Sequence, residues 1–169
     1  MPSRLKPSPI KATSTAVALM GRYFLPYRAA LNAEYRDYTD TWGIDGSSFE
    51  LGYTHPINDA IILELSYRVY DQNEADFYAD LFPYQDAQNF LARDKELSAF
   101  SSSSIGIGGS YEFKFEGKII DKATLNFFYN FFHFDYENFR DLTVESTPGE
   151  EPLYELDAHV IRAFVSIWF

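Results

Sequence analysis

The 169-residue chain contains no cysteine, so neither disulfides nor thiolate chemistry is available to it. That lack is compatible with an oxidising compartment without requiring one. Long apolar runs are missing as well. The longest, such as AVALM (16–20) and AIIL (60–63), fall far short of the roughly 20 residues a membrane helix needs. Positive charge is scarce: 14 Lys and Arg stand against 25 Asp and Glu, a formal net charge of −11. Such a surface repels phosphate, so no nucleic-acid partner is expected. The opening MPSRLKPSPIKATS is positively charged but carries no apolar stretch of the kind a secretory signal needs.

What the chain has in abundance is rings. Aromatics make up 18% of it, with 13 Tyr and 16 Phe. Mean hydropathy is nevertheless −0.26, so these rings are interleaved with polar residues. The interleaving has period two, the signature of strands with one apolar face. Seven segments carry it: 13–25, 28–38, 48–55, 60–70, 99–115, 124–134 and a last one from about Leu156. In the fourth, Ile61, Leu63, Leu65, Tyr67 and Val69 alternate with Ile62, Glu64, Ser66, Arg68 and Tyr70. A short helix is expected only within 73–91.

The connections alternate in length. Those at 26–27, 56–59 and 116–122 are short, whereas those at 39–46, 71–98 and 135–155 are longer and acidic. This matches an outer-membrane barrel with tight periplasmic turns and long extracellular loops, Phe169 ending at the periplasmic side. Strands in hydrocarbon must close into a barrel, because no backbone N–H can be left unpaired there. Tyr23, Tyr35, Tyr53, Tyr67, Tyr111 and Phe115 are expected to form interfacial girdles. The expected fold is therefore all-β, an antiparallel up-and-down transmembrane β-barrel. Residues 1–12 read as an irregular segment and 13–169 as barrel. A soluble barrel enclosing an apolar ligand is the alternative, since it alternates too.

Two stretches, YRDYTDTWGI (35–44) and SYRVYDQNEADFY (66–78), together with the PSRLK opening, resemble a known family. It comprises uncharacterised bacterial outer-membrane proteins grouped as a domain of unknown function. The resemblance covers most of the chain and implies bacterial outer-membrane localisation, but no activity. The closing residues, with Ile161, Val165, Ile167 and Phe169 in one row, are similar to the carboxy-terminal signal read by the barrel-assembly machinery. Members of the family are longer, and single-chain bacterial barrels have an even strand count, so this sequence is expected to be the carboxy-terminal part of a larger barrel. Further strands would come from upstream or from another chain.

The other face of the strands is ionic: Arg22, Glu34, Arg36, Glu50, Glu64, Arg68, Glu112, Lys114 and Arg162 are expected to face the lumen. The simplest hairpin register sets Arg36 opposite Glu50. Mixed signs favour a paired network over a selectivity filter. His133 and His159, near Asp135, form a weak metal or acid–base candidate, better read as rim residues. His55, beside Pro56, suggests nothing further. The loop carboxylates Asp37, Asp40, Asp45, Asp71, Glu74, Asp76, Asp80, Asp86, Glu145, Glu150, Glu151 and Glu155 read as a solvated acidic surface. Divalent cations bridging them to lipopolysaccharide are the sharper alternative.

GIGG (106–109) is no phosphate loop, for no Lys-Ser/Thr follows; room for a bulky inward neighbour explains it better. In TWGIDG, Gly43 and Gly46 are expected in a tight turn, with Trp42 at the outer interface. No catalytic triad, cofactor motif or metal cluster is legible, and no cofactor is expected. The expected role is structural or pore-like and not enzymatic; a rim hydrolase built on His133, His159 and the loop acids is the remaining enzyme alternative. The expected partners are outer-membrane lipid and lipopolysaccharide.

Overall fold

The computed structural model of the chain describes residues 12–81, 92–115, 119–147 and 149–169. Seven strands are found among them: β1 (Ser14–Phe24), β2 (Ala30–Asp40), β3 (Asp45–Pro56), β4 (Ile61–Gln72), β5 (Phe100–Lys114), β6 (Lys122–Arg140) and β7 (Leu153–Trp168). They lie in one sheet in chain order, every neighbouring pair antiparallel. The fold is all-β and up-and-down.

Several boundaries differ from the sequence expectation. β6 runs to Arg140 instead of stopping at Phe134: its pairing with β5 reaches Tyr136, and after an irregularity past Asp135 it pairs again with β7 at Arg140 and Leu153. The β2–β3 connection is only residues 41–44. There the Asp40 carboxylate accepts the Trp42 amide at 2.8 Å and the Ile44 amide at 3.1 Å, holding a tight turn. The length asymmetry therefore rests on two connections, 73–99 and 141–152, and not on three. No helix occurs in the described residues 73–81; a single 3₁₀ turn, Lys95–Leu97, lies further on. Residues 82–91 of that expected helix, residues 1–11 of the irregular segment and Asp86 lie outside the described residues.

The register sorts side chains onto two unlike faces. Leu19, Tyr35, Phe49 and Val69 are successive partners across β1–β4, and Tyr23, Leu31, Tyr53, Leu65, Ile107, Tyr129 and Ile161 run across all seven strands. This face is apolar and stands open. The opposite face is polar and more enclosed: on β5, Ile105 and Ile107 are 59% and 49% exposed, while Gly106 and Gly108 between and beside them are buried. The sheet therefore curves toward its polar side. The apolar side chains thus stand on the more open of the two faces.

Close packing occurs at one end of the sheet. Ile44, Gln72, Ala75, Ser98, Ala99 and Tyr136 are buried, Ser98 completely. They form a small cap where the connection 73–99 folds back onto the ends of β3–β6. The Gln72 amide nitrogen donates to the Ser98 carbonyl at 2.9 Å and to that of Glu96 at 3.1 Å. The Ala75 amide donates to Leu97 at 2.9 Å, closing the fold-back.

Candidate functional site

On the polar face, Arg22, Asn32, Gly52, Ser66, Gly106 and Asn130 are successive cross-strand partners from β1 to β6. The rows above and below add Thr54, Glu64, Gly108, Phe128 and Arg162, and Glu34, Glu50 and Arg68. Between them lies a groove of about 210 Å³. Its glycines make it. A Cβ at Gly52 would meet the Asn32 amide, one at Gly106 the Ser66 hydroxyl and the Asn130 carboxamide, and one at Gly108 the Phe128 ring. Those side chains lie flat across the neighbouring strand because no side chain stands there. The Arg162 guanidinium sits over the Phe128 ring, 5.2 Å from its centroid.

All nine charged residues read from the sequence share this face, by register. Their pairing is not a continuous network. Arg36 binds Glu34 at 2.9 Å, and Glu112 meets Lys122 at 3.1 Å and Lys114 at 3.9 Å. Arg22, Glu50, Glu64, Arg68 and Arg162 form no ion pair among the described residues. Arg36 does not oppose Glu50 but Ser48; Glu34 opposes Glu50. The chain turns back within residues 41–44, so Thr39 pairs with Asp45 where the expected register would pair it with Ser47, and this moves the register by one inward position.

The histidines stand on the apolar side. His133 Nδ1 lies 2.6 Å from Asp157 and its Nε2 3.1 Å from Asp135. His159 is not part of that set; it bonds to the Tyr129 hydroxyl at 2.7 Å and packs on Phe131. Among the described residues no group of three or more acidic or His ligands could hold a metal. Ser103, His133 and Asp157 are direct cross-strand partners in that order. Nε2 is turned to Asp135, so the hydroxyl–imidazole bond that a nucleophilic triad needs is not made. His55 bonds to the Tyr53 hydroxyl at 3.0 Å.

Part of the cap is built from the two stretches quoted above, YRDYTDTWGI and SYRVYDQNEADFY. The Asp76 amide donates to the Trp42 carbonyl at 2.8 Å, the Asn73 side chain donates to the Gly43 carbonyl at 3.0 Å, and Trp42 meets Phe77 edge-on. Gly43 has φ +87°, and a Cβ there would strike the Asp76 carboxylate. Gly46 lies in β3 beneath Tyr70 and not in the turn. Further along, Asp80 holds Arg93 at 3.1 Å and Arg140 at 3.5 Å, while Arg93 stacks on Phe139 at 4.3 Å and donates to the Arg140 carbonyl at 2.7 Å. The Tyr78 hydroxyl donates to the Asn138 carbonyl at 3.0 Å. Burial, then the Asp80 charge, pushes the Tyr78 phenol up to about 12, against the opposing pull of Arg93. At the other long connection, hydrogen bonds from the Thr143 hydroxyl and amide hold the Asp141 carboxyl below its usual range.

Residues 8–137 match a family described as a protein of unknown function, DUF3570. The chain belongs to this family. Both halves of the cap fall within the matched DUF3570 region, as do β1–β5 and most of β6. No curated protein and no solved structure matches the chain.

Sequence reading missed the Asn32–Ser66–Asn130 floor and the Asp80–Arg93–Arg140 anchor. Inward glycines at 52, 106 and 108 were the one available signal for the floor. The anchor joins residues up to 60 positions apart and left no periodic trace.

Proposed function

We propose that this DUF3570 chain forms wall of an integral β-barrel of the bacterial outer membrane, with a structural or pore-like role. One observation carries the reading: an apolar face, continuous over seven strands, stands outward while the enclosed face is polar across β2–β5. Soluble monomers rarely expose contiguous apolar patches above a few hundred Å². Strands of 11 to 19 residues are long enough to cross hydrocarbon when tilted. Lipid and lipopolysaccharide are the proposed surroundings of the apolar face, and the barrel-assembly machinery its means of insertion. The polar groove is the proposed contact for hydrophilic solutes.

The free edges add a condition. With seven strands all antiparallel to their neighbours, β1 and β7 run in the same direction. Joining them edge to edge would need a parallel pair. Their inward positions are also largely apolar, with Met20, Phe24, Val160, Phe164 and Trp168 exposed, whereas free edges normally carry charge. We therefore propose that an odd number of further strands, from additional polypeptide or another chain, completes the ring. The experiment is solubility: the folded chain is expected to need detergent or lipid. A monodisperse, fully folded protein in plain buffer overturns the membrane reading.

A further inference from the structure

Asn32, Glu50, Glu64, Ser66, Asn130 and Arg162 all line the glycine-floored groove of the polar face. None of the six side chains makes a hydrogen bond or an ion pair among the described residues. Two of them place opposite charges at the two ends of one row. Glu64, Gly108, Phe128 and Arg162 are successive cross-strand partners on β4, β5, β6 and β7. The Phe128 ring leans over β5, where a Cβ at Gly108 would strike it. The Arg162 guanidinium sits over that ring, 5.2 Å from its centroid. The ring thus carries the cation toward Glu64 and shields one of its faces from water. Three strand spacings, roughly 14 Å, separate the two backbones, and the lean leaves about 5–10 Å between the charged ends.

From this placement we infer that the groove binds a free α-amino acid, its carboxylate on Arg162 and its ammonium on Glu64. The inference rests on the reading of this face as the wall that meets hydrophilic solutes, and it names the class of solute. In an α-amino acid the ammonium nitrogen lies about 2.5 Å from the carboxyl carbon. With a charge-assisted hydrogen bond of about 2.8 Å at each end, it bridges roughly 8 Å. That matches the gap. One further residue adds about 3.5 Å, so an extended dipeptide is too long. The groove volume of about 210 Å³ likewise suits one small solute. The Ser66 hydroxyl and the Asn130 carboxamide converge over Gly106, one row away, and face the amino acid's own side chain.

Charge selects among solutes. An anion without an amine meets Arg162 but also faces Glu64 and Glu50, whereas a cation without a carboxylate meets those acids but faces Arg162. A neutral saccharide leaves both charges unmatched. The Phe128 face on which a sugar would stack is covered by Arg162.

The test uses the full chain folded in dodecylmaltoside micelles at pH 6, titrated with L-serine, N-acetyl-L-serine, L-serine methyl ester and glucose. Binding is followed by saturation-transfer NMR. L-Serine is expected to bind about tenfold tighter than either blocked form, the scale of one charge-assisted hydrogen bond. Glu64→Gln should bring L-serine level with the N-acetyl form while its advantage over the methyl ester remains. Arg162→Gln should do the reverse. Ser66→Ala, a milder variant, should weaken L-serine without altering either ratio, and circular dichroism checks that each variant is folded. Absent L-serine binding, blocked forms that bind equally well, or ratios that survive both charge substitutions overturn the site. Glucose binding tighter than L-serine overturns it in favour of a saccharide. Folding in buffer alone strikes the membrane reading instead; it is scored first, and the titration is then run and judged in that buffer.

Discussion

Glu34 stands directly opposite Glu50 in the β2–β3 ladder. Two carboxylates in this position repel; Glu34 is held by Arg36 at 2.9 Å, whereas Glu50 has Arg68 as its cross-strand neighbour on β4 without a direct ion pair. Like charges directly opposite destabilise by about 0.2–1 kcal/mol. Glu50→Gln should therefore stabilise by a few tenths of a kcal/mol or more, on the order of the same range, in urea unfolding of lipid-reconstituted protein. Arg68→Gln should do the opposite. If a pore forms, replacing both glutamates with Gln should lower cation preference, read as reversal potential in planar bilayers.

The flattened Phe128 ring depends on Gly108. Gly108→Ala drives the new methyl into that ring, which must swing away and release Arg162. The expected cost is roughly 1–3 kcal/mol, as for an overpacked site. Gly21 is the control, since a Cβ there meets nothing within 4 Å. Gly21→Ala should be neutral or stabilising by up to about 0.5–1 kcal/mol. Equal effects of the two would refute the packing account.

Asp80 ties the cap to β6. Its carboxylate is 12% exposed, holds Arg93 and Arg140, and accepts the Arg140 amide at 3.2 Å. Asp80→Asn removes the charge from two half-buried guanidinium groups. Local opening should become easier by about 1.5–3 kcal/mol, the worth of a hydrogen bond to a charged group. Hydrogen exchange at the Ala75, Tyr78 and Arg140 amides should accelerate while that of β2 and β3 stays unchanged.

Tyr78 gives the cap an alkaline limit. Its phenol is pushed up to about 12 in the folded chain, above the ordinary value of 10.0. Unfolded chain therefore loses its proton first, and folding is opposed by that difference as pH climbs from about 10 to about 12, while below that window the contribution is constant. Tyrosinate absorbance should show a late-titrating component that shrinks by one tyrosine in Tyr78→Phe. Tyr78→Phe should also flatten the decline of cap stability across the same window.

Much of this architecture was legible in the residues themselves. Alternation such as Ile61-Ile62-Leu63-Glu64 fixes a strand and its two faces locally, because successive side chains must point to opposite sides of a pleat. Seven strands and the sorting of nine charges onto one face follow from that local rule alone. What alternation cannot carry is register. Glu34 against Glu50, the Asn32–Ser66–Asn130 floor and the Glu64–Gly108–Phe128–Arg162 row depend on where each hairpin turns, and the Asp40-capped turn at 41–44 decided one of them. Nor does it carry the cap, whose Asp80, Arg93 and Arg140 meet only when a long connection folds back on its own sheet. Period two is a property of neighbouring residues; register and fold-back are properties of distant ones, and only the tertiary structure brings those together.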